Sequence, residues 1–452
     1  MFIFLEYFME GCIMRCKELH MKKKLIFAII FSLLCPVMVQ GSQQEITENI
    51  EQESSADIEQ EITGSIEQES SADIEQENPE DSPITLADAE EIFEEGRKAQ
   101  RGSIKVVDLS GSWFEMGRQY GALMKKELDE VLFVIDAVIE YNEGNASKAK
   151  QIVETQTLQT PWRISRFFEG AAETSGFTVE QLQLANAIER IGGLPKCSVA
   201  ITWGDYAEDD LIIGRNYDYS EALALLKDDI AVTVYHPADG ALATATIGYA
   251  GEIYAVNGLN EKGLFLELNN GKPSANIKSP NTRVTGTTML FEILFEADTL
   301  DDMDLFFNTT NCSSSYIINV ADKNEARSYE WCPVDVKRGE TDLPEGLLVS
   351  TNYYVNPDWL FAKPSDEASW EGLTRRSNLI RLCEEEKGKM TEEKMMRIIE
   401  TPIKEGGAEN ELTVYQLVVV PGTMTLWLRV IGGSDWTPVD LGSFLIQEQA
   451  AE

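Results

Sequence analysis

The sequence predicts an α+β domain made of two antiparallel sheets with helices packed outside them. Three observations carry this. Apolar residues recur at helical spacing near the start of the body and again late in it. Between these stretches lie many short apolar segments separated by turn residues. The connections between those segments are hairpin-sized, whereas a doubly wound parallel sheet needs crossovers of roughly a dozen residues or more.

The elements follow in order. Phe114, Gly117, Tyr120, Gly121, Met124, Leu128, Val131, Ile135 and Val138 predict one long helix over 112–141. Gly117 and Gly121, four apart on one face, predict a close approach by another backbone. Thr178-Val-Glu-Gln181 is a capping box that opens a second helix, expected over 178–191. Short strands are then expected over 198–203, 211–214, 230–235, 242–249, 253–256 and 264–268. Asn260-Glu-Lys-Gly263 reads as a hairpin turn. Helix returns over 288–307, its apolar face interrupted between Asp298 and Asp304. A hairpin is expected over 316–320 and 327–331, then a strand over 347–351 and helices over 372–386 and 391–400. A last hairpin, 414–420 with 424–430, turns at Pro421-Gly422. Trp203 and Trp331 read as core.

Composition bounds the function. The 452 residues carry 77 acidic and 38 basic side chains, a net charge of −39, with two histidines. A chain this acidic is not expected to hold nucleic acid by bulk charge. Two histidines leave little for a His-rich metal site, and neither a metal nor a cofactor is expected. With 43% apolar and 25% charged residues the body is globular.

Residues 1–41 read as a signal peptide. Lys22-Lys23-Lys24 is the basic stretch, Leu25 to Leu34 the apolar run, and Val39-Gln40-Gly41 a cleavage site, with Met21 as an alternative start. Export is therefore expected, and contact with a membrane only through an uncleaved leader. Residues 42–85 form an acidic linker in which IEQESSADIEQE occurs twice, at Ile50 and Ile66. With no aromatic residue it cannot bury enough apolar surface to offset its ordering entropy. The remainder, 86–452, reads as one domain.

The scarcity of histidine narrows the chemistry. Beyond the leader only His236 remains, at a strand end running into a turn, where an exposed residue is expected. A Ser-His-Asp or Cys-His scheme would have to use it. Of the cysteines beyond the leader, Cys312 and Cys332 flank the predicted hairpin and leave a disulfide open. Cys383 sits on a helix as a small core residue. Cys197 follows the Gly192-Gly193-Leu194-Pro195 breaker and opens the first strand. Two readings of it stand. It is a buried structural cysteine, or it is a nucleophile freed by cleavage after Lys196. In the second case its own α-amine, with a reference pKa of about 7.7–8.0, accepts the thiol proton.

Cys197-Ser-Val-Ala-Ile-Thr-Trp-Gly-Asp205, followed by Ile213-Gly-Arg-Asn-Tyr-Asp218, resembles the start of the catalytic chain in N-terminal-nucleophile (Ntn) hydrolases. The nearest likeness is to the acyl-coenzyme A:6-aminopenicillanic acid acyltransferase-type cysteine amidohydrolases, with choloylglycine hydrolases and penicillin V acylases as cousins. Asn257-Gly-Leu-Asn-Glu-Lys-Gly-Leu264 with Leu268-Asn269, Ser350-Thr-Asn352, Arg375-Arg376 and Ser112-Trp-Phe-Glu-Met-Gly-Arg-Gln-Tyr-Gly121 agree in order. The resemblance covers about 100–440.

It implies a four-layer αββα sandwich, split autocatalytically into a helical segment, 86–196, and a catalytic segment, 197–452. It further implies Cys197 as nucleophile, Arg215 beside the thiolate lowering its pKa, and Asp218 orienting the α-ammonium. Asn269 and Asn352 would donate to the oxyanion, Asn352 by its side-chain amide. Arg376, with Arg375 as the neighbouring candidate, would steady the cluster. The implied activity is hydrolysis of a linear, non-peptide C–N amide in a small N-acyl substrate, or acyl transfer to an amine. Two departures stand out: Lys196 precedes the nucleophile where the acyltransferase has glycine, and Asn270-Gly271 replaces the aromatic-proline continuation of bile-salt hydrolases. The alternative is an exported binding protein that kept the scaffold without processing.

Overall fold

The computed structural model describes residues 82–141, 160–188, 196–219, 221–277, 285–339 and 346–446, and positions 147, 151 and 154 besides. The chain divides into two units, 1–79 and 80–452, and the described residues all lie in the second. The expected leader and nearly all of the acidic linker lie outside them.

The strands form two sheets. The larger runs in the order β1 (Glu91–Phe93), β2 (Gly96–Arg101), β3 (Ile104–Gly111), β6 (Ile230–Pro237), β7 (Thr244–Tyr249), β8 (Asn257–Asn260), β9 (Phe265–Asn270), β10 (Tyr316–Ala321), β11 (Ala326–Cys332) and β12 (Asp335–Gly339). The smaller runs β13 (Leu347–Ser350), β4 (Ser198–Thr202), β5 (Ile212–Asp218), β14 (Thr413–Val420), β15 (Thr425–Val430) and β16 (Thr437–Asp440). The helices are α1 (Trp113–Leu123), α2 (Lys125–Tyr141), α3 (Trp162–Ser175), α4 (Val179–Ala185), α5 (Glu221–Ala224), α6 (Gly286–Leu294), α7 (Leu300–Thr309), α8 (Gly372–Glu385), α9 (Glu392–Glu400) and α10 (Leu441–Leu445).

Helices α1, α6 and α7 pack on the larger sheet, and α8 and α9 on the smaller. The two sheets face one another, which makes the αββα sandwich. Side-chain parity explains the layering. Ala200, Ile212, Val349, Val418 and Val420 form a core with Leu379, Met395 and Ile399 of α8 and α9. The alternate positions turn to the other sheet: Tyr217 stacks on Tyr415 at 4.5 Å, and Asn257 of β8 donates to the Tyr415 hydroxyl at 2.7 Å. β14 is buried along its whole length, and its second half, Leu417 to Val420, is an unbroken apolar run, as a strand covered on both faces requires.

The structure corrects several expected elements. The long helix over 112–141 is two, α1 and α2, which bend at Met124 (φ −110°, ψ 16°) while the helical hydrogen bonds continue on either side of it. Gly117 and Gly121 do bring α1 against α3: a Cβ on Gly117 would lie 2.0 Å from the Phe167 carbonyl oxygen, and one on Gly121 2.4 Å from that of Ala171. The Thr178 capping box is formed, but α4 ends at Ala185. Residues 253–256 are not a strand, because Ile253 N–H is taken by the Asn186 side chain at 2.7 Å and Ala255 N–H by the Thr287 carbonyl; the strand is β8. The helix over 288–307 is divided into α6 and α7 by a further capping box, Thr299 with Asp302. The sequence patterns predict neither β1 to β3 nor β12 and β16. Nor do they predict the one parallel pair among the described strands, β3 with β6, whose connection is the helical region and then β4 and β5 of the smaller sheet.

Candidate active site

Cys197 is fully buried at the head of β4. Lys196 N–H donates to the Asp218 carbonyl at 2.9 Å, which adds a rung to the β4–β5 ladder just before the cysteine. In the continuous chain the Cys197 nitrogen is a peptide nitrogen. Residues 189–195, upstream of this junction, lie outside the described residues.

The arginine that reaches the junction is Arg375. Its Nη1 donates to the Lys196 carbonyl at 2.7 Å and to the Cys197 carbonyl at 2.9 Å. Nη2 donates to Asn352 Oδ1 at 2.8 Å, Nε to the Trp370 carbonyl at 3.1 Å, and Asp218 Oδ2 lies 3.6 Å from Nη1. The structure thus brings Arg375, the neighbouring candidate, and not Arg376 to the junction. One residue along α8 turns the side chain by about 100°; Arg376 is half-buried and its Nε donates to the Val349 carbonyl at 3.1 Å.

Asp218, at the end of β5, is fully buried; it accepts from Thr413 Oγ1 at 2.7 Å and Asn410 Nδ2 at 2.8 Å. Burial pushes its carboxyl up, against the pull of Arg375, Thr413, Asn410 and Arg215. Burial likewise lowers the Arg375 pKa, opposed by the charges of Asp218 and Cys197. Asn352 donates by Nδ2 to the Asn270 carbonyl at 3.1 Å. An amide nitrogen carries two hydrogens, so this bond uses one of them.

Arg215 belongs to an adjoining network. It lies across the ladder from Val199, on the sheet face that Cys197 shares by parity. It pairs with Glu267 of β9, both side chains fully buried, and donates to Asn269 Oδ1 at 3.0 Å and the Leu268 carbonyl at 2.6 Å. Asn269 Nδ2 is directed at Ser350 Oγ, 3.1 Å away, and at Glu267 Oε1, 3.4 Å away. Both its amide hydrogens are thus engaged. In this structure the Asn269 side chain holds the network, and its expected donation to an oxyanion would require those bonds to rearrange. Asn319 completes the network through Glu267 and through Ser350 Oγ at 2.5 Å.

Sequence reasoning misses Glu267, Asn319, Asn410 and Thr413. Only Glu267 leaves a signal: an acid two residues before Asn269 on one strand face, in an otherwise apolar segment. His236 is not an exposed turn residue; it lies within β6, one residue before its end, largely buried, with Nε2 2.8 Å from Asp108 Oδ1 on β3. Cys312, Cys332 and Cys383 are buried thiols, not disulfides. Trp331 is core, while Trp203 is half-buried. Among the described residues no three His, Cys, Asp or Glu side chains gather as a metal site would require.

Residues 206–434, half of the chain, match the family described as acyl-coenzyme A:6-aminopenicillanic acid acyl-transferase. The chain belongs to this family. The match begins just downstream of Cys197 and takes in Arg215, Asp218, Asn269, Asn352 and Arg375. Among solved structures, similarity extends to the Caenorhabditis elegans ortholog of N-acylethanolamine-hydrolyzing acid amidase, at 19% identity over 50% of this chain and 93% of that one, with a TM-score of 0.39. It extends also to a mutant conjugated bile acid hydrolase from Clostridium perfringens (12%, 56% and 95%, TM-score 0.39) and to penicillin V acylase from Agrobacterium tumefaciens (9%, 54% and 86%, TM-score 0.33). No curated protein sequence matches the chain. Family membership makes it an enzyme of the amide-hydrolysing or acyl-transferring kind.

Proposed function

We propose that this chain is an exported amidohydrolase that cleaves a linear, non-peptide C–N amide through an acyl-thioester on Cys197. The observation that carries the reading is the burial of Cys197 at the head of β4, with Arg375, Asp218 and Asn352 joined around its backbone. Export rests on the leader sequence over 1–41.

The chemistry starts from a Cys197 whose α-amine has been freed by cleavage after Lys196. The amine takes the thiol proton, and Sγ attacks the acyl carbon. Asp218 holds the resulting α-ammonium, and the second amide hydrogen of Asn352 meets the tetrahedral oxygen. The ammonium then returns its proton to the leaving amine as the C–N bond breaks. Water attacks the thioester to release the acid, or a second amine takes the acyl group. A small N-acyl amide is the substrate class.

Denaturing mass spectrometry of the purified chain tests this directly. We expect a fragment that begins at Cys197, and loss of both cleavage and amide turnover in Cys197→Ala. An intact wild-type chain without turnover would favour the binding-protein alternative. Turnover by Cys197→Ala would remove Cys197 as nucleophile. A panel of acylated amino acids, penicillin V, conjugated bile salts and acyl-homoserine lactones would then rank the substrates.

A further inference from the structure

The bond between Lys196 and Cys197 is gripped in a specific way. Lys196 N–H is held by the Asp218 carbonyl, and the Lys196 carbonyl oxygen receives Arg375 Nη1 at 2.7 Å. That oxygen belongs to the bond whose cleavage would free the nucleophile. The guanidinium is fixed in turn: Nε on the Trp370 carbonyl, Nη2 on Asn352, and Asp218 beside Nη1. A buried guanidinium donor already aimed at a carbonyl is what a tetrahedral intermediate on that carbon requires, since little reorganisation is needed as negative charge develops there.

We propose that Arg375 is the oxyanion-stabilising residue of the self-cleavage reaction. This rests on the Cys197 reading above and assigns Arg375 a task that precedes amide turnover. Cys197 Sγ attacks the Lys196 carbonyl carbon, and the carbonyl oxygen becomes an oxyanion against Nη1. The C–N bond to Cys197 breaks, and the thiol proton ends on the Cys197 nitrogen, leaving a Lys196 thioester on Sγ and a free α-amine. Water hydrolyses the thioester, which gives a Lys196 carboxylate and restores the thiol. No other reactant is consumed. The Lys196 side chain has no part in the step, so a residue other than glycine before the nucleophile is compatible with it.

The test follows the cut in the full chain over time by denaturing mass spectrometry, with hydroxylamine added to capture the Lys196 thioester. Arg375→Gln keeps a planar amide donor but loses the charge; Arg375→Lys keeps the charge but not the fork. The proposal expects cleavage slowed by about 100-fold or more in the glutamine variant, the size of effect seen when an oxyanion donor is lost, with partial recovery in the lysine variant. The slowed variants should yield correspondingly less hydroxamate. Near-ultraviolet circular dichroism establishes that each variant is folded. Wild-type cleavage rates in Arg375→Gln overturn the proposal and leave the Cys197 reading intact, whereas an uncut wild-type chain overturns both. A crystal structure of the uncleavable Cys197→Ala chain decides the case even if the Arg375 variants do not fold: a guanidinium beyond hydrogen-bond reach of the Lys196 carbonyl overturns the proposal.

Discussion

Replacing Glu267 with glutamine removes one charge from a pair in which both side chains are fully buried. Arg215 is then left with two neutral acceptors, Asn269 Oδ1 at 3.0 Å and the Leu268 carbonyl at 2.6 Å. Breaking one side of a buried pair costs about 3–5 kcal/mol. Because those acceptors persist and glutamine still offers an oxygen to Asn319, the lower end applies. A loss of about 3 kcal/mol is roughly a 150-fold fall in the folded-to-unfolded ratio. The assay is urea unfolding in the Cys197→Ala background, where no cleavage after Lys196 is expected. Arg215→Met with Glu267→Leu removes both charges together and should recover most of the loss, since a buried pair replaced by apolar groups of similar volume is often neutral. The same double change with Cys197 restored should abolish turnover. A Glu267→Gln chain that unfolds within about 0.5 kcal/mol of its parent would refute the view that Glu267 is the counter-charge holding Arg215.

Other expectations are simpler. Gly117→Ala puts a methyl 2.0 Å from the Phe167 carbonyl oxygen and should cost about 1–3 kcal/mol in the same urea assay despite alanine's better helix propensity. Arg376→Ala should keep kcat/KM for any N-acyl amide within a few-fold, while Arg375→Ala should slow cleavage after Lys196 by about 100-fold or more, as followed by denaturing mass spectrometry. Burial pushes the Cys383 thiol up to about 12, so at pH 8 only about one part in 10⁴ is thiolate, and iodoacetamide should leave Cys383 unmodified until the chain is unfolded. Burial raises the Asp218 carboxyl, so the folded chain holds that proton more tightly than the unfolded chain does. The resulting stability is complete below the ordinary carboxylate pKa and is lost as pH rises through the raised value. In the Cys197→Ala background, Asp218→Asn should therefore flatten the fall of unfolding free energy with pH just above the ordinary carboxylate range; equal slopes would count against this.

The legible parts of the fold are those written in local patterns. The capping box at Thr178, the glycine pair on α1, the hairpin over 316–331 and the one at Pro421 each depend on residues a few positions apart. The parallel pairing of β3 with β6 is not legible, because no local pattern records which strand a segment will join after a long crossover. The site divides in the same way. Cys197, Arg215 and Asp218 lie on two adjacent strands, and their order alone marks them. Arg375 and Arg376 are neighbours of identical chemistry on one helix; which of them faces Cys197 depends on how α8 is rotated on β4 and β13, and only the packed structure fixes that. Thr413 and Asn410 reach Asp218 from nearly two hundred positions away, beyond the reach of any spacing argument.

The parallel pair also bears on the cleavage proposed after Lys196. β3 lies upstream of the Lys196–Cys197 junction and β6 downstream, yet they are neighbours inside one sheet. While the chain is continuous, their meeting is a loop closure whose entropy cost grows only slowly with length. In a chain severed as proposed, the same meeting would be an association of two polypeptides, and its success would depend on concentration. For the cleavage proposed after Lys196, folding must therefore come first and severing second. Unfolding the processed protein would cross a one-way door, since the thread that once guided the upstream strands home would no longer exist.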